Sequence, residues 1–363
     1  RQRQMCIRDR PDSLRILHNP LTGWVLYASM GVDAADFWAQ YDHMYIPELG
    51  HNVSVTDYAH TLYIRASWTD FNPQEDVYGW KIDSNLRAYI EGAYQRNMRL
   101  AFRVVVDSRD KRTEFTPQFV KDAGAKGFMN KGKWSPYSDD SVFQKYYTKF
   151  VKALAKDFND PSKVEFIDGF GLGKWGEYHT MIYSTGDDTP KKAVFDWVTD
   201  IYSQAFDKVP VVINYHRWIG AGKDWVDDEH FAADSEEMLE GAIKKGYSLR
   251  HDAFGMTTYY GSWERRFAKK YRNICPIIME GGWIVKSHSY WQDPRGYRKD
   301  SHEDVRRGEF DDSKEAHVNM MDFRFGDTES WFKDAFDLVR RFLREGGYRL
   351  YPSEISCLLY TSP

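Results

Sequence analysis

Residues 164–180 read VEFIDGFGLGKWGEYHT, and their first half is a short, largely apolar run that passes into glycines and ends at Glu177. A strand that is apolar on both faces is typical of a parallel sheet covered by helices on both sides. Residues 276–283, PIIMEGGW, repeat the arrangement and end their strand at Glu280. Both segments therefore predict a parallel strand with a carboxylate at its carboxyl end.

Similar strands alternate with amphipathic helices about eight times along the chain. One such helix carries Leu86, Tyr89, Ile90 and Ala93 on a single face. This alternation favours an α/β fold closed as a (β/α)8 TIM barrel over an open, doubly wound sheet. We predict one barrel domain over residues 11–345, with strands at 23–28, 61–67, 99–106, 165–171, 210–215, 248–255, 276–280 and 317–323.

The composition describes a globular protein with a large core. The 363 residues include 42% hydrophobic and 29% charged side chains, and the net charge is −4. That charge creates no field that attracts nucleic acid or a membrane surface, and no apolar run approaches the ~20 residues that cross a bilayer. Aromatic residues reach 16%, which either a large core or a sugar-binding cleft would explain.

Both ends of the chain differ in character from the rest. Residues 1–10 and 356–363 have no amphipathic period and are similar to adapter sequence at the ends of metagenome-derived reading frames, so we expect both to be non-native. Residues 346–355 look like the start of a truncated C-terminal β domain. Cys6 and Cys357 fall at these ends, which leaves Cys275 as a buried thiol and excludes a disulfide framework.

Residues 108–138, after the third strand, are too long for an ordinary βα loop. Because βα loops form the active-site face of such a barrel, we expect this insertion beside the site. It is either a solvated lid with short helices or a wall of the cleft that favours acidic or extended glycans. The second interpretation rests on interleaved basic and aromatic side chains: Lys111, Arg112, Lys121, Lys126, Lys131, Lys133, Phe115, Phe119, Phe128 and Trp134.

Glu177 and Glu280 have the spacing that catalysis at a barrel mouth requires. They end the fourth and seventh strand units, 103 residues apart (280 minus 177), and catalytic groups of TIM barrels lie at the carboxyl ends of strands. Glycoside cleavage uses one protonated carboxyl, which assists the leaving oxygen, and one ionised carboxyl, which attacks the anomeric carbon. We predict this pair here. Buried ion pairs with strand-end arginines are the structural alternative.

Around these glutamates the chain resembles clan A of the (β/α)8-barrel glycoside hydrolases, over roughly residues 19–352. The resemblance rests on Asn19-Pro20, Gly23-Trp24 and the stretch 68–83, which is similar to the W…P…G.Y.W..iD segment of β-galactosidase-like barrels. It is nearest to a bacterial family in which a β-sandwich follows the barrel. It implies a periplasmic or secreted retaining hydrolase of polysaccharides or oligosaccharides, without a cofactor, in which Glu177 is the acid/base and Glu280 the nucleophile.

The sequence departs from the clan at one position. Many clan members place Asn directly before the acid/base glutamate, where it binds the sugar 2-hydroxyl, whereas this chain has Gly176. Asn214, at the end of the fifth strand, is a candidate substitute. The departure also motivates an alternative from another class, a carbohydrate-binding barrel without catalysis.

Other polar and aromatic residues near strand ends are candidates for substrate binding. The alternative for the arginines is a structural ion pair, for the histidine a plain loop position, and for the tryptophans packing at the rim. Asp252 is the rival carboxylate, and Tyr259, or its neighbour Tyr260, is expected to donate a hydrogen bond to Glu280. Trp218 is a further platform candidate. We assign to substrate binding Arg65, Arg103, Trp175, His179, Asn214, Asp252, Tyr259 and Trp283.

Several other classes of protein are disfavoured. Gly171, Gly173 and Gly176 match a dinucleotide fingerprint, but Glu177 would place negative charge beside a pyrophosphate. No G-x-S-x-G or H-E-x-x-H motif occurs, and the eleven histidines show no metal-ligand spacing. Basic residues outside the insertion are dispersed. We therefore expect no metal, no cofactor and no nucleic-acid partner.

Overall fold

The computed structural model describes residue 16 and residues 19–346, apart from 29, 110, 112, 225, 227, 228, 255–258, 282–301 and 325–327. The predictions for both chain ends, for the β domain from residue 347 onward, and for Arg112 and Trp283 lie outside the described residues. Within the described part of the chain, none of the helices combines the length and the hydropathy that a membrane span needs.

Eight parallel strands close into a barrel. The strands follow chain order around the ring, and the first strand completes it by pairing with the last, where Gly23 lies beside Met320. All eight predicted strands are present, which confirms the TIM-barrel fold. They are β1 (Gly23–Tyr27), β2 (Ala59–Ser67), β3 (Arg99–Val105), β4 (Val164–Asp168), β5 (Val211–Asn214), β6 (Ser248–Phe254), β7 (Ile277–Gly281) and β8 (Met320–Asp322).

Several strands are shorter than predicted, and in the fourth and the eighth the backbone turns at the shortened end. The fourth strand ends at Asp168, since the Phe170 N–H donates to the Asp168 carbonyl and Gly171 adopts φ +79°. The eighth strand begins at Met320 rather than at His317, whose φ is +54°. Left-handed φ values are incompatible with a strand.

Helices cover the outside of the barrel, and their first turns carry capping residues. Asp83 accepts from the Leu86 N–H at 2.7 Å, and Asp140 accepts from the Phe143 N–H at 2.9 Å. The helices are α1 (Ala34–Asp42), α2 (Trp68–Phe71), α3 (Gly79–Ile82), α4 (Ser84–Gln95), α5 (Gln118–Asp122), α6 (Ser141–Phe158), α7 (Lys191–Ala205), α8 (Glu229–Lys244), α9 (Ser262–Tyr271), α10 (His302–Glu315), α11 (Thr328–Asp334) and α12 (Phe336–Glu345).

Strand side chains fill the barrel interior in layers. An apolar layer contains Tyr63, Phe166, Val212 and Ile278. Outward-facing neighbours pack against helices, as does Trp24, whose indole N–H donates to the Val339 carbonyl at 3.0 Å. Because side chains alternate along a strand, the next inward position lies two residues later. That second layer forms the floor of the candidate site.

The insertion after β3 has its own secondary structure, which comprises α5 and a two-stranded hairpin at 127–136. Ser108 ties it together, because its N–H donates to Ser135 Oγ at 2.8 Å and its Oγ accepts from the Phe115 N–H at 2.8 Å. Trp134 is only 5% exposed, so it packs within the insertion. The insertion is therefore a folded lid, and its role as a cleft wall stays a prediction.

Candidate active site

Six strands place a polar side chain two residues after an inward-facing apolar or aromatic one, at the carboxyl end of the barrel. The register sets neighbours side by side, with Arg65 beside Arg103 and Glu280 beside Asp322. The strand β6 adds Arg250 and Asp252 to the same layer. The six residues that follow the pattern named first, one on each of β2, β3, β4, β5, β7 and β8, are Arg65, Arg103, Asp168, Asn214, Glu280 and Asp322. A polar ring therefore covers the apolar layer of the barrel.

Arg103 is fully buried and links three carboxylates. Its Nε donates to Asp168 Oδ2 at 2.5 Å, its Nη1 to Glu177 Oε1 at 2.8 Å, and its Nη2 to Asp252 Oδ2 at 2.7 Å. Such charge-assisted bonds fix both partners. All three of its nitrogens are thus bonded to carboxylates, so Arg103 organises the site rather than gripping a sugar.

Arg250, which is also fully buried, binds the carboxylates on the opposite side of the polar ring. Its Nε donates to Asp252 Oδ1 at 3.0 Å, and its Nη2 donates to Glu280 Oε2 at 3.1 Å and to Asp322 Oδ2 at 2.7 Å. Asp252 therefore lies between two guanidinium groups, one on each oxygen. These contacts make Asp252 an ion-pair partner of both arginines.

A loop in left-handed conformations delivers Glu177 to the ring. Gly176 has φ +76° and Tyr178 has φ +65°. A Cβ on Gly176 would lie 3.3 Å from Val105 Cγ2 and 3.5 Å from Arg103 Cδ. The backbone conformation and the tight space both favour glycine. They give a physical reason why this chain lacks the Asn that many clan members place before the acid/base.

Burial and charge give the three neighbouring carboxyls different proton affinities. Burial, followed by the negative charge of Asp252, raises the pKa of Glu177 to about 7. The positive charges of Arg103 and Arg65 lower that pKa and only partly offset the rise. Burial would raise the pKa of Asp252, but the two guanidinium groups outweigh it and hold that pKa well below its usual range. Burial and then Asp252 raise the pKa of Glu280 well above its usual range. The Arg250 and Arg324 guanidinium groups act in the opposite direction and lower the pKa of Glu280.

Carboxylate oxygens of Glu177, Asp252 and Glu280 lie within 4.8 Å of one another. Three oxygens at this spacing can surround a cation. Arg103 and Arg250 already donate to these carboxyls, however, and supply the compensating positive charge. We therefore assign no metal to the cluster, whose arrangement suits proton transfer and covalent attack.

His179 lies against Glu177 in a buried polar chain. Its Nε2 is 3.9 Å from Glu177 Oε2 and 2.7 Å from the Tyr259 hydroxyl, and its Nδ1 is 2.7 Å from an Asp224 carboxylate oxygen. Its ring stacks on that of His216, with 4.0 Å between the centroids. Positive charge on His179 lowers the pKa of Glu177. The geometry thus supports a role for His179 in tuning the proton affinity of Glu177, whereas the sequence analysis assigned His179 to substrate binding.

Asn214 lies beside the same chain. Its Nδ2 donates to the Tyr259 hydroxyl at 3.2 Å, and its buried Oδ1 has no hydrogen-bond partner among the described residues. Leaving a buried acceptor unpaired costs about 1–3 kcal/mol, a cost that a substrate hydroxyl would remove. Tyr260 accepts instead from the Tyr215 hydroxyl at 3.3 Å. The phenols that we expected beside Glu280 thus have partners elsewhere in the site.

The tryptophan candidates differ in exposure. Trp175 is half-buried at the barrel mouth, where its carbonyl accepts from Arg65 Nη2 at 2.8 Å. The same Nη2 is 3.6 Å from Glu177 Oε1. Trp218 is 1% exposed and lies beneath the Arg217 guanidinium at 3.8 Å, so it packs at the rim. Only Trp175 of these two remains a candidate platform.

Reasoning from the sequence missed Asp168, Asp322, Arg324 and His216. The two aspartates have a signal, since each ends its strand two residues after an inward-facing residue, in VEFID and MMD. Arg324 Nε, 3.5 Å from Glu280 Oε1, and His216 lie beyond their strands. The two-residue alternation of inward- and outward-facing side chains ends with the strand, so it does not predict the direction of these two side chains.

Comparison with known proteins bears on the fold. No protein-family profile and no curated protein sequence matches the chain. The chain is similar to an endo-1,4-β-mannanase from Rhizomucor miehei, with 9% identity, a TM-score of 0.53, and coverage of 90% of this chain and 97% of that chain. For a GH10 xylanase from Thermobacillus composti the identity is 8%, the TM-score 0.50, and the coverage 88% and 96%.

A third solved structure is longer than this chain. An exo-β-1,4-mannosidase from Opitutaceae bacterium strain TAV5 has 12% identity and a TM-score of 0.49, with coverage of 89% of this chain but 59% of that chain. The likeness to the mannanase and the xylanase shows that the chain has the (β/α)8-barrel fold found in these glycoside hydrolases.

Proposed function

We propose that the protein is a retaining glycoside hydrolase that cleaves O-glycosyl bonds of an oligosaccharide or polysaccharide by double displacement. The approach of Glu177 and Glu280, whose carboxylate oxygens lie within 4.8 Å, carries the proposal. Retaining enzymes hold their carboxyls about 5–5.5 Å apart, whereas inverting enzymes leave roughly 6.5–9.5 Å for a water molecule. The short spacing supports direct attack by one carboxylate.

Glu177 is the proposed acid/base. A pKa of about 7 leaves its carboxyl partly protonated at neutral pH, which suits a group that first gives a proton and then takes one. Arg103 and Arg65 both approach Oε1. Oε2 is therefore the oxygen that would face the leaving group.

Glu280 is the proposed nucleophile. Arg250 donates to its Oε2 at 3.1 Å, and Arg324 lies 3.5 Å from its Oε1. Attack on the anomeric carbon would form a glycosyl-enzyme, which water hydrolyses while Glu177 acts as base. The two arginines would stabilise the negative charge that returns to Glu280 as the ester breaks.

For the substrate we propose a β-glycoside of the kind that β-galactosidase-like barrels cleave. The unpaired Asn214 Oδ1 would accept a sugar hydroxyl in place of the Asn absent at position 176. The Trp175 ring would stack on a pyranose face. Exposed Lys121 and Lys126 on the insertion are consistent with a cleft wall for acidic or extended glycans.

A carbohydrate-binding barrel without turnover is the second candidate. The enclosure of the site favours it, because Glu177 and Glu280 are only 7% and 4% exposed and each accepts a hydrogen bond from a buried arginine. In that case the two carboxyls would be structural ion-pair partners.

Turnover of nitrophenyl β-glycosides, the β-galactoside first, tests the proposal. We expect Glu280→Ala to abolish turnover and azide to restore it as an α-glycosyl azide, because the anion would replace the missing carboxylate. The matched control is Glu165→Ala, which removes another buried glutamate, one paired with Arg99 at 3.0 Å at the start of β4. Glycan binding without turnover, unchanged in Glu280→Ala, would favour the binding barrel.

A further inference from the structure

The insertion after β3 is basic, whereas the rest of the chain is acidic. Residues 108–138 contain seven arginines and lysines against three aspartates and glutamates, a net charge of +4. The whole chain carries −4, so the remainder carries −8 (−4 minus +4). Excess charge of one sign on a single segment attracts ligands of the opposite sign. Because the insertion follows the carboxyl end of β3, this attraction acts at the barrel mouth.

The two-stranded hairpin of the insertion has one face against the barrel mouth. Ser135 Oγ accepts from the Ser108 N–H at 2.8 Å and donates to Asp107 Oδ1 at 3.4 Å. Phe128, which pairs with Ser135 across the hairpin, lies beneath the Arg109 guanidinium, 5.5 Å from the ring centre. These partners come soon after the end of β3. The inner hairpin face, which carries Phe128 and Ser135, therefore lies toward the mouth.

Lys133 is on the inner hairpin face. Side chains alternate along each strand, so Asn130 and Lys133, which pair with each other, share the face of Ser135. Both are partly exposed. Exposed lysines elsewhere form ion pairs, as Lys149 does with Glu75 at 2.8 Å. In the part of the chain that the structure describes, no carboxylate lies within the 4.0 Å of an ion pair from Lys133. Its ammonium group is thus available to a ligand.

The floor of the site disfavours an anionic group on the reacting sugar. Five carboxyl groups there are less than a tenth exposed, and Arg103 and Arg250 already donate to them. Arg65 and Arg324, at the rim, lie within 3.6 Å of a glutamate carboxylate. A charged sugar directly above this floor would meet repulsion where the dielectric constant is low. The five carboxyls belong to Asp168, Glu177, Asp252, Glu280 and Asp322.

We propose that the inner hairpin face, through Lys133 and Asn130, is a distal subsite for an anionic group of an extended glycan, either a uronate carboxylate or a sulfate ester. This inference rests on the proposed function, because the subsite extends the same cleft. The Lys133 ammonium donates to the anion, and the Asn130 amide donates to a neighbouring sugar oxygen. From Arg103 in the floor to Asp107 beneath the hairpin the chain advances four residues, about 13 Å when extended. The reacting sugar is therefore neutral, and the charged group belongs to a sugar further along the glycan.

Affinity electrophoresis measures this binding without turnover. The inactive variant Glu280→Ala is run through native gels that contain polygalacturonate, a sulfated galactan or a neutral β-galactan. We expect an anionic polymer to retard it more than the neutral one. Added salt should weaken the retardation, because salt screens a partly exposed ion pair. The anionic polymer that is bound more tightly identifies the group as a carboxylate or a sulfate.

Lys133→Met in the Glu280→Ala background removes the charge of the subsite. The dissociation constant for the anionic polymer should rise about fivefold, as expected for the loss of one partly exposed ion pair. The matched control is Lys152→Met in the same background, because Lys152 is exposed on the outer helix α6. It should leave the dissociation constant unchanged. Equal losses in the two variants, or no loss in Lys133→Met, overturn the inference.

Turnover by the wild type checks where the anionic group lies. Nitrophenyl β-galactoside should be hydrolysed at least about tenfold faster than nitrophenyl β-glucuronide, whose carboxylate would lie over the buried carboxyls. A preference for the glucuronide overturns the distal position of the anionic group.

The outcomes for the inference and for the proposed function are distinct. If the wild type hydrolyses nitrophenyl β-galactoside while the anionic polymers retard Glu280→Ala no more than the neutral one, the inference is overturned and the proposed function stands. If no glycoside is hydrolysed while an anionic polymer binds through Lys133, the proposed function fails and the inner hairpin face remains an anion-binding surface of a carbohydrate-binding barrel.

Discussion

Nη1 of Arg103 donates to Oε1 of Glu177 at 2.8 Å, inside a barrel that leaves Arg103 with no exposure to solvent. The same guanidinium holds Asp168 and Asp252. The proposed acid is therefore tied to the framework of β3, β4 and β6. One cation sets both the position of Glu177 and part of its proton affinity.

Replacing Arg103 with Met should destabilise the fold by about 3–5 kcal/mol, because buried carboxylates lose their partner. Urea unfolding measures this loss. The pKa of Glu177 should also rise, which moves the alkaline limb of the activity profile to higher pH. Arg87→Met is the control, since the exposed pair of Arg87 with Glu91 is worth at most about 1 kcal/mol. Equal losses in the two variants would contradict the organising role of Arg103.

The free energy of unfolding should fall as pH rises through the pKa of Glu177. That pKa is about 7 in the folded protein against an ordinary value of 4.5. The folded state thus binds the proton more tightly, and its stabilisation is complete below pH 4.5 and lost by about pH 7. The difference corresponds to about 3 kcal/mol. Urea unfolding across this range should give a flatter pH dependence for Glu177→Gln than for the wild type, and parallel curves would refute the shift.

Adding a methyl group at Gly176 should impair both stability and catalysis. Gly176 and Gly186 have nearly equal φ values, +76° and +78°, but a Cβ on Gly186 would meet nothing within 4 Å. Gly186→Ala should therefore show only the conformational cost, about 1 kcal/mol. Gly176→Ala should lose more stability and should also lower kcat/KM, because Glu177 is displaced. Thermal unfolding and kinetics of both variants check this, and similar kinetics would contradict it.

Removing the hydroxyl of Tyr259 should affect activity, whereas removing that of Tyr260 should affect stability alone. Tyr259→Phe removes the hydroxyl oxygen to which Asn214 Nδ2 and His179 Nε2 are hydrogen-bonded. Leaving these buried groups unpaired should lower the free energy of unfolding by about 1–3 kcal/mol. It should shift the alkaline limb of the pH profile, since His179 acts on Glu177. Tyr260→Phe removes the hydroxyl that accepts from Tyr215 and leaves the bonds of Asn214 and His179 to Tyr259 in place. The same pH profile in both variants would argue against the tuning role.

The fold was predictable because its signals are local. Apolar runs, amphipathic helices and capping residues recur within windows of ten to twenty residues, and they predicted all eight strands. The same reasoning placed Glu280 at the carboxyl end of β7, as observed, whereas Glu177 lies in the loop after β4, which ends at Asp168. The strand ends at Asp168 and Met320 were less predictable, because left-handed residues such as Gly171 interrupt the pattern.

The sequence by itself thus determined a barrel with two glutamates at its mouth. Only the tertiary structure decided which charges face one another, as in the approach of Arg103 to Glu177 and the ion pairing of Asp252 with Arg103 and Arg250. Arg103 meets Asp168 and Asp252 across 65 and 149 residues of chain. The proton affinity of a buried carboxyl depends on such distant neighbours and on its loss of water, and neither has a local pattern in the sequence.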